Sequence, residues 1–127
     1  MNYLLDTHVF LWYIDGNKKL SSKVSSIISN LDNDIYLSKV SLWEIVIKSS
    51  NGKLDLQKSL RDIEDVIRLN NFILLDIDFS HLTTLNSLPY FHRDPFDRLI
   101  IAQAITDKFI LITDDVQLKA YPVEILI

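Results

Sequence analysis

Short apolar runs alternate along the chain with longer segments in which apolar residues recur at helical spacing. The runs of strand length are Tyr3–Leu5, Ile35–Leu37, Phe72–Leu75, Phe109–Ile112 and Val123–Ile127. Continuous apolar runs of this kind are typical of strands that are buried on both faces, as in parallel sheets. We therefore predict a mainly parallel sheet of about five strands.

The segments between these runs predict helices. Those with helical periodicity are Leu20–Leu31, Val40–Lys48, Leu56–Leu69 and Phe96–Thr106. Pro95 stands at the favoured first position of the last helix, and Gly52 offers a left-handed stop after the second. Val40–Lys48 is apolar nearly all round, which predicts a buried helix. Alternating strands and helices predict an α/β fold.

The composition predicts one ordinary domain spanning residues 1–127, because 48% of the chain is hydrophobic and its length is typical of a single domain. The lack of cysteine excludes disulfides, zinc–thiolate sites and thiol nucleophiles. No basic leader precedes an apolar run, and no apolar segment approaches the roughly 20 residues that span a bilayer. We expect a cytoplasmic protein without a membrane segment.

The net charge of −4 argues against a passive nucleic-acid binder, which usually carries an excess of Lys and Arg. If four acidic side chains surround a cation, however, the remainder of the chain is about neutral (−4 + 4 = 0). The charge is therefore compatible with a nuclease that binds its metal through carboxylates.

Acidic residues follow the predicted strands or open the predicted helices beside them. They are Asp6, Glu44, Asp94, Asp97, Asp114 and Asp115. In open α/β sheets, ligands bind beyond the carboxyl ends of the strands, where these side chains can converge. Hard cations such as Mg²⁺ prefer oxygen ligands, and they can activate water for attack on a phosphodiester. The pattern predicts a site for one or two such ions.

Helix capping is the alternative interpretation for most of these residues. Asp6 precedes a possible first helix, Asp94 and Asp97 resemble a cap with an acidic third residue, and Asp114 or Asp115 can cap the turn that follows. Glu44 is harder to explain in this way, since it interrupts an apolar helix and charged residues are rarely buried alone. A capping box from Ser41 or a pair with Lys48 is the alternative there.

Other catalytic chemistry has weaker support. His8, His81 and His92 lack metal-ligand spacing, which favours solvated or core histidines, although His92 neighbours Asp94. The chain has only two glycines, so phosphate-binding loops and the Gly-x-Ser-x-Gly turn of serine hydrolases are excluded.

Four segments together resemble the motifs of PIN-domain proteins, in the branch that contains the VapC-type toxins of bacterial toxin–antitoxin pairs. They are Leu4–His8, Ser41–Ile45 followed by Lys48 and Gly52–Leu54, Phe91–Ala104, and Leu111–Asp115. The resemblance runs over essentially the whole chain, and the Asp94-Pro95-Phe96-Asp97-Arg98 motif is its most specific part.

This resemblance implies a three-layer α/β/α sandwich and an endoribonuclease that depends on Mg²⁺ or Mn²⁺. It implies that four acids hold the metal: Asp6, Glu44, Asp97 and Asp115. Thr113 is implied as an auxiliary site residue, and Asp94 belongs to the motif without being a clear ligand. The Thr-x-Asp spacing favours Asp115 over Asp114. The resemblance also implies RNA as substrate, a cognate antitoxin as partner and a homodimer.

Two other functions remain open at this point. A PIN-like module that binds RNA or protein without cutting would be marked by a missing acid, yet all four are present. A Mg²⁺-dependent phosphatase usually carries Asp-x-Asp after its first strand, whereas Asp6 is followed by Thr7 and His8.

Basic and apolar residues supply two further expectations. Phosphates can be guided by basic side chains, although these are more often ordinary surface charges; the candidates are Lys48, Lys53, Arg93 and Arg98. Large apolar side chains exceed what one face needs, which predicts a homodimer or antitoxin contact; they are Leu11, Trp12, Tyr13, Leu42 and Trp43.

Overall fold

Five parallel strands form one sheet in the computed structural model, which describes residues 1–127. The strands are β1 (Asn2–Leu5), β2 (Asp34–Ser38), β3 (Ile73–Leu75), β4 (Ile110–Ile112) and β5 (Glu124–Leu126). Their order is β3-β2-β1-β4-β5, and every neighbouring pair is parallel. The predicted five-stranded parallel sheet is thus confirmed.

The register of the three central strands fixes where the functional residues can lie. Leu5 of β1 pairs with Leu37 of β2 on one side and with Ile112 of β4 on the other. The residues that follow, Asp6 and Thr113, therefore leave the sheet side by side at its carboxyl edge. Parallel strands bring residues that are distant in sequence together at this edge.

Six α-helices and one short 3₁₀ helix connect the strands. The α-helices are α1 (Thr7–Asp15), α2 (Ser22–Ser29), α3 (Lys39–Ser50), α4 (Leu60–Leu69), α5 (Phe79–Ser87) and α6 (Pro95–Asp107), and the 3₁₀ helix covers Val116–Ala120. The four helices predicted from periodicity are present; α1 was considered only as a possible helix after Asp6, and α5 was not predicted. None of the helices combines the length and apolar character needed to cross a membrane.

Helix α4 begins four residues later than its apolar pattern predicts. The Ser59 side chain accepts a hydrogen bond from the Asp62 backbone N–H at 3.1 Å, and the Asp62 carboxylate accepts one from the Ser59 N–H at 3.1 Å. This reciprocal capping box satisfies two N–H groups that a helix start otherwise leaves without partners. The cap sets the start of the helix at Leu60 rather than Leu56.

Two hydrophobic cores lie on opposite faces of the sheet, as expected for an α/β/α sandwich. On β1, Leu5 belongs to the core that includes residues of α1, α2 and α4, and Leu4 belongs to the core that includes residues of α6. Successive side chains of a strand point to opposite faces, which explains this division. Helix α3 contributes Val40 to one core and Ile45 to the other.

Two predictions about burial are wrong in part. Strand β3 is at the edge of the sheet, so Ile73 and Leu74 are 39% and 41% exposed instead of being buried on both faces. Helix α3 buries only one side, which leaves Trp43, Val46 and Ile47 exposed by 55%, 39% and 39%. The apolar residues of α3 outnumber the positions that its neighbours cover.

Candidate metal centre

Asp6 is buried at the middle of the carboxyl edge, directly after the central strand. Its Oδ1 accepts a hydrogen bond from the His8 N–H at 2.9 Å and caps α1, while its Oδ2 accepts one from the Thr113 hydroxyl at 2.6 Å. Burial raises the pKa of Asp6, and these two hydrogen bonds oppose that rise. Asp6 thus caps α1 as predicted. Capping does not explain why the carboxylate is buried, because a capping side chain can remain exposed to solvent.

Thr113 joins two of the acidic residues. Its hydroxyl donates to Asp6 and accepts a hydrogen bond from the Asp115 N–H at 3.1 Å. Asp115 in turn caps the 3₁₀ helix by accepting from the Gln117 N–H at 2.9 Å. Thr113 is 1% exposed, so its hydroxyl has a fixed orientation between the ends of β1 and β4.

Glu44 enters the same region from α3 and is only 3% exposed. Its Oε2 forms an ion pair with Lys48, one helical turn further on. The other oxygen, Oε1, is buried and has no hydrogen-bond partner. The predicted Lys48 pair is therefore present, but it accounts for only half of the carboxylate, and an unpaired buried charged oxygen is costly.

Asp97 shows that the acids converge from separate elements. It lies in the first turn of α6, where its backbone N–H donates to the capping side chain of Asp94 at 3.0 Å. Burial, followed by the negative charges of Asp6, Asp94, Glu44 and Asp115, raises the pKa of Asp97 to about 8. Like charges at short range favour the protonated form of a carboxyl group.

Asp114 and Asp115 face different neighbours. Asp114 is exposed, and its charge raises the pKa of Asp6, whereas Asp115 is half-buried and acts on Asp97. Asp115 is also fixed through Thr113. These contacts favour Asp115 as the member of the acidic cluster, which we define as Asp6, Glu44, Asp97 and Asp115.

The acidic cluster fits a hard divalent cation in its chemistry. All its donors are carboxylate oxygens, the type that Mg²⁺ and Mn²⁺ prefer, and Glu44 Oε1 lacks any other partner. No three acidic or histidine side chains are close enough together to hold an ion as they stand. The charges of Asp6, Asp94, Glu44 and Asp115 nevertheless act on Asp97, which places these carboxylates within electrostatic range of one another.

Lys48 is the basic residue nearest to this negative charge. Burial disfavours its ammonium group, yet the hydrogen bond to Glu44 and the charges of Glu44, Asp94 and Asp97 raise the pKa of Lys48. Its place beside three carboxylates makes it a counter-charge of the site.

Arg98 does not guide phosphates, contrary to the sequence-based expectation. It is 4% exposed and donates hydrogen bonds to the carbonyls of Pro89 at 2.7 Å and Leu88 at 3.1 Å. Its guanidinium also lies 3.7 Å from the ring centre of Tyr90. Arg98 therefore holds the loop that leads into α6. In the sequence, its burial was indicated only by its position at the start of an otherwise apolar stretch of helix.

A second buried polar group near the carboxyl edge was also missed. The Ser38 hydroxyl, at the end of β2, donates to Gln103 Oε1 at 2.6 Å, and Gln103 Nε2 donates to the Asp76 carbonyl at 3.1 Å. Ser38 and Gln103 are fully buried. This network connects α6 to the ends of β2 and β3, and thereby fixes the helix that carries Asp97.

Solved structures of similar shape are toxin–antitoxin complexes. VapBC2 from Rickettsia felis bound to a promoter DNA fragment contains a chain with a TM-score of 0.75 and 19% identity, covering 99% of this chain and 98% of that one. A chain of DNA-bound VapBC from Salmonella typhimurium has a TM-score of 0.71 and 15% identity, covering 99% of this chain and 97% of that one. A chain of VapBC-1 from nontypeable Haemophilus influenzae has a TM-score of 0.70 and 18% identity, covering 99% of this chain and 97% of that one. At these identities, the likeness shows a shared fold.

The sequence itself gives the family. No curated protein matches the chain. The model of the PIN domain family, however, matches residues 3–124, which include the whole acidic cluster and nearly the whole chain. The parallel sheet and the position of the acids at its carboxyl edge agree with that match. The chain belongs to the PIN domain family.

Proposed function

We propose that this chain is a metal-dependent endoribonuclease, the toxin of a toxin–antitoxin pair, and that residues 1–127 form a single nuclease domain. The observation that carries the proposal is that Asp97 is largely buried within range of the charges of Asp6, Asp94, Glu44 and Asp115; burial and these charges together raise the pKa of Asp97 to about 8. A protein does not gain stability by bringing uncompensated carboxylates together, so such a cluster points to a functional site.

In this proposal, Mg²⁺ or Mn²⁺ is held by Asp6, Glu44, Asp97 and Asp115. When bound, the cation makes a water molecule more acidic and neutralises the charge that develops on the scissile phosphate. The chain's own residues orient the ligands: the Thr113 hydroxyl fixes Asp6 Oδ2, and Lys48 holds Glu44 Oε2 so that Oε1 stays free. Water would add to phosphorus and give up a proton, the P–O bond to the leaving oxygen would break, and the leaving oxygen would take up a proton, which gives a phosphate monoester and a hydroxyl end.

The proposed partner is a cognate antitoxin. The solved structures with the same fold are complexes of a toxin with its antitoxin, and two of them also contain DNA. We extend the toxin role to this chain, in the cytoplasm, with RNA as substrate. Co-expression with the product of a short adjacent reading frame should relieve growth inhibition, while expression of the chain alone should inhibit growth.

The direct test is the cleavage of total cellular RNA by the purified protein. We expect cleavage with Mn²⁺ or Mg²⁺, none in EDTA, and recovery on addition of excess metal. Asp97→Asn should abolish cleavage. Asp55→Asn is the matched control, since Asp55 is an exposed carboxylate outside the acidic cluster. Full activity in EDTA, or in the Asp97→Asn protein, would contradict the proposal.

A further inference from the structure

His92 lies at the edge of the acidic cluster with half of its hydrogen-bonding capacity unused. Its side chain is 11% exposed, and its Nε2 is buried without a hydrogen-bond partner. The nearest carboxylate oxygen is Asp97 Oδ2, at 3.6 Å from Nε2. This distance is too long for a hydrogen bond but leaves no room for a water molecule between the two atoms.

The other ring nitrogen has a defined partner. His92 Nδ1 lies 2.8 Å from the Tyr121 hydroxyl, whose oxygen also accepts hydrogen bonds from the His92 backbone N–H at 3.2 Å and from Arg98 Nη1 at 3.4 Å. With two N–H groups already donating to this oxygen, the tyrosine's own proton remains to be donated. His92 Nδ1, at 2.8 Å, is in position to accept this proton.

This arrangement selects one tautomer of the imidazole. A neutral histidine carries one N–H and one bare nitrogen. If Nδ1 accepts from Tyr121, the ring proton lies on Nε2, on the side of Asp97. Packing alone would explain why the ring is buried, since it stands edge-to-face against Tyr121 at 5.4 Å. It does not explain why the buried Nε2, which has no hydrogen-bond partner, lies 3.6 Å from a carboxylate oxygen.

We propose that His92 is a positioning residue, which donates its Nε2–H to Asp97 Oδ2 and orients that carboxylate toward the bound cation. A hydrogen bond from a ring N–H to a carboxylate is about 2.7–2.9 Å long, so a shift of under about 1 Å closes the observed gap. Arg98 and Tyr121 support His92 in turn. The inference rests on the proposed metal site, because it assigns a supporting residue to one of its ligands.

Metal affinity separates this role from a purely structural one. Calorimetric titration with Mn²⁺ should show a loss of about 10–100-fold in affinity for His92→Phe, the usual effect of removing a partner of a metal ligand. His92→Gln, whose amide can still donate, should recover most of the affinity. Tyr121→Phe removes the group that selects the tautomer, and should weaken Mn²⁺ binding while leaving His92 in place.

The control is His81→Gln, which disrupts a buried histidine paired with Asp107 at 2.8 Å, at the opposite end of α6 from Asp97. It should lower the melting temperature without changing Mn²⁺ affinity. In the metal-free protein, long-range ¹H–¹⁵N NMR should find the proton of His92 on Nε2. This measurement needs no variant to fold and no catalysis.

The outcomes distinguish this inference from the proposed function. If Asp97→Asn loses Mn²⁺ binding while His92→Phe retains it, His92 is not a positioning residue and the metal site stands. A proton on Nδ1 would also overturn the inference alone. Absence of Mn²⁺ binding by the unmodified protein would overturn both.

Discussion

At the scale of single residues, three of the acids at the carboxyl edge cap helices. Asp6, Asp94 and Asp115 each accept a backbone N–H at the start of a helix. The sequence left capping and metal binding open for these residues, and the structure shows why. A capping N–H occupies only one of the lone pairs of a carboxylate, so a cap at this edge can take part in a second interaction, as Asp6 does when its Oδ2 accepts from the Thr113 hydroxyl.

For Asp97, the capping interpretation and the metal-site interpretation lead to opposite expectations about the stability of the metal-free protein. Its position in the first turn of α6 stabilises the helix by roughly 0.3–1 kcal/mol when it is charged. Burial and four neighbouring carboxylates oppose that charge and raise the pKa of Asp97 to about 8. One pKa unit corresponds to about 1.4 kcal/mol, so a shift of this size outweighs the helix dipole.

We expect Asp97→Asn to unfold at a higher temperature than the unmodified protein in EDTA at pH 7. In the unfolded chain Asp97 ionises near its ordinary pKa of 3.8, and in the folded chain near 8. Its contribution is therefore fully favourable below pH 4 and is lost as the pH rises to about 8. The gain from Asn should grow over this window and then level off, as measured by thermal melts at several pH values.

The same pair of melts tests the metal site. Adding Mn²⁺ should raise the melting temperature of the unmodified protein, because a ligand stabilises the folded state that binds it, and should raise that of Asp97→Asn much less. An equal Mn²⁺ shift in both proteins, together with a less stable metal-free variant, would remove Asp97 from the site and leave it as a helix cap.

Thr113 offers a test of how the ligands are held. Thr113→Val keeps the shape but removes the hydroxyl that joins Asp6 Oδ2 to the Asp115 N–H. We expect a loss of stability on the order of 1–3 kcal/mol, since two buried groups lose their partner, and weaker Mn²⁺ binding. Thr113→Ser restores the hydroxyl and should recover both. Denaturant melts and calorimetry with equal results for Val and Ser would exclude this role.

At the scale of elements, the segment before α6 depends on one side chain. Arg98 donates to the Leu88 and Pro89 carbonyls and stacks on Tyr90. The sequence could not reveal this role, because an arginine beside an acidic motif equally favours phosphate binding. Only the fold shows that its donors point away from solvent, toward backbone that precedes it by about ten residues.

We expect Arg98→Lys to destabilise the protein by about 1–3 kcal/mol, because a single ammonium group cannot reproduce the fork of donors that a guanidinium provides. Arg93→Lys is the matched control. Arg93 is exposed in the same segment, so its substitution should change the stability by less than about 0.5 kcal/mol. The measurement is the free energy of unfolding in urea. Equal effects would mean that Arg98 does not hold this segment.

Periodicity did not mark α1 and α5 as helices, for a different reason in each case. Helix α1 follows β1 after a single residue, so that apolar residues run from the strand into Val9, Phe10 and Leu11 without a break in pattern. Helix α5 has little periodicity because its buried residue is His81, which bonds the Asp78 N–H through one nitrogen and Asp107 through the other. A core position filled by histidine is not recognisable from hydrophobicity.

At the scale of the whole molecule, the order of the strands brings the acidic residues together, and the sequence pattern alone does not specify that order. Alternating strands and helices predicted a parallel sheet, but not that β1 would lie between β2 and β4. This central place for β1 puts Asp6 among elements that are far away in sequence: α3 brings Glu44, α6 brings Asp97, and the end of β4 leads to Asp115. The candidate ligands could be proposed residue by residue, and His92 stood out only as a neighbour of Asp94, whereas the buried contacts of Ser38 and Tyr121 could not be predicted.

The large apolar side chains that were expected to form an interface differ in their exposure. Of the five residues expected there, Leu11 is 8% exposed and belongs to the core, while Trp43 is 55% exposed. The exposed surface instead continues along α3 through Val46 and Ile47. Between α3 and α4 lies a groove of about 260 Å³, which six apolar side chains line: Leu42, Val46, Leu60, Ile63, Ile67 and Leu74. Continuous apolar surface of this kind usually marks an interface.

We expect this groove and the outer side of α3 to pack against a second copy of the chain. Val46→Glu should then give a monomer and raise the dissociation constant at least about 10-fold, because a charge would be buried at the contact. Val46 is 39% exposed, so the fold should survive. Leu31→Glu is the control, since Leu31 is 83% exposed and lies outside this surface.

Light scattering over a concentration series gives the mass, and a monomer at high micromolar concentration for the unmodified protein would contradict the dimer. A dimer that persists in Val46→Glu would place the contact elsewhere and leave the groove of α3 and α4 for another partner.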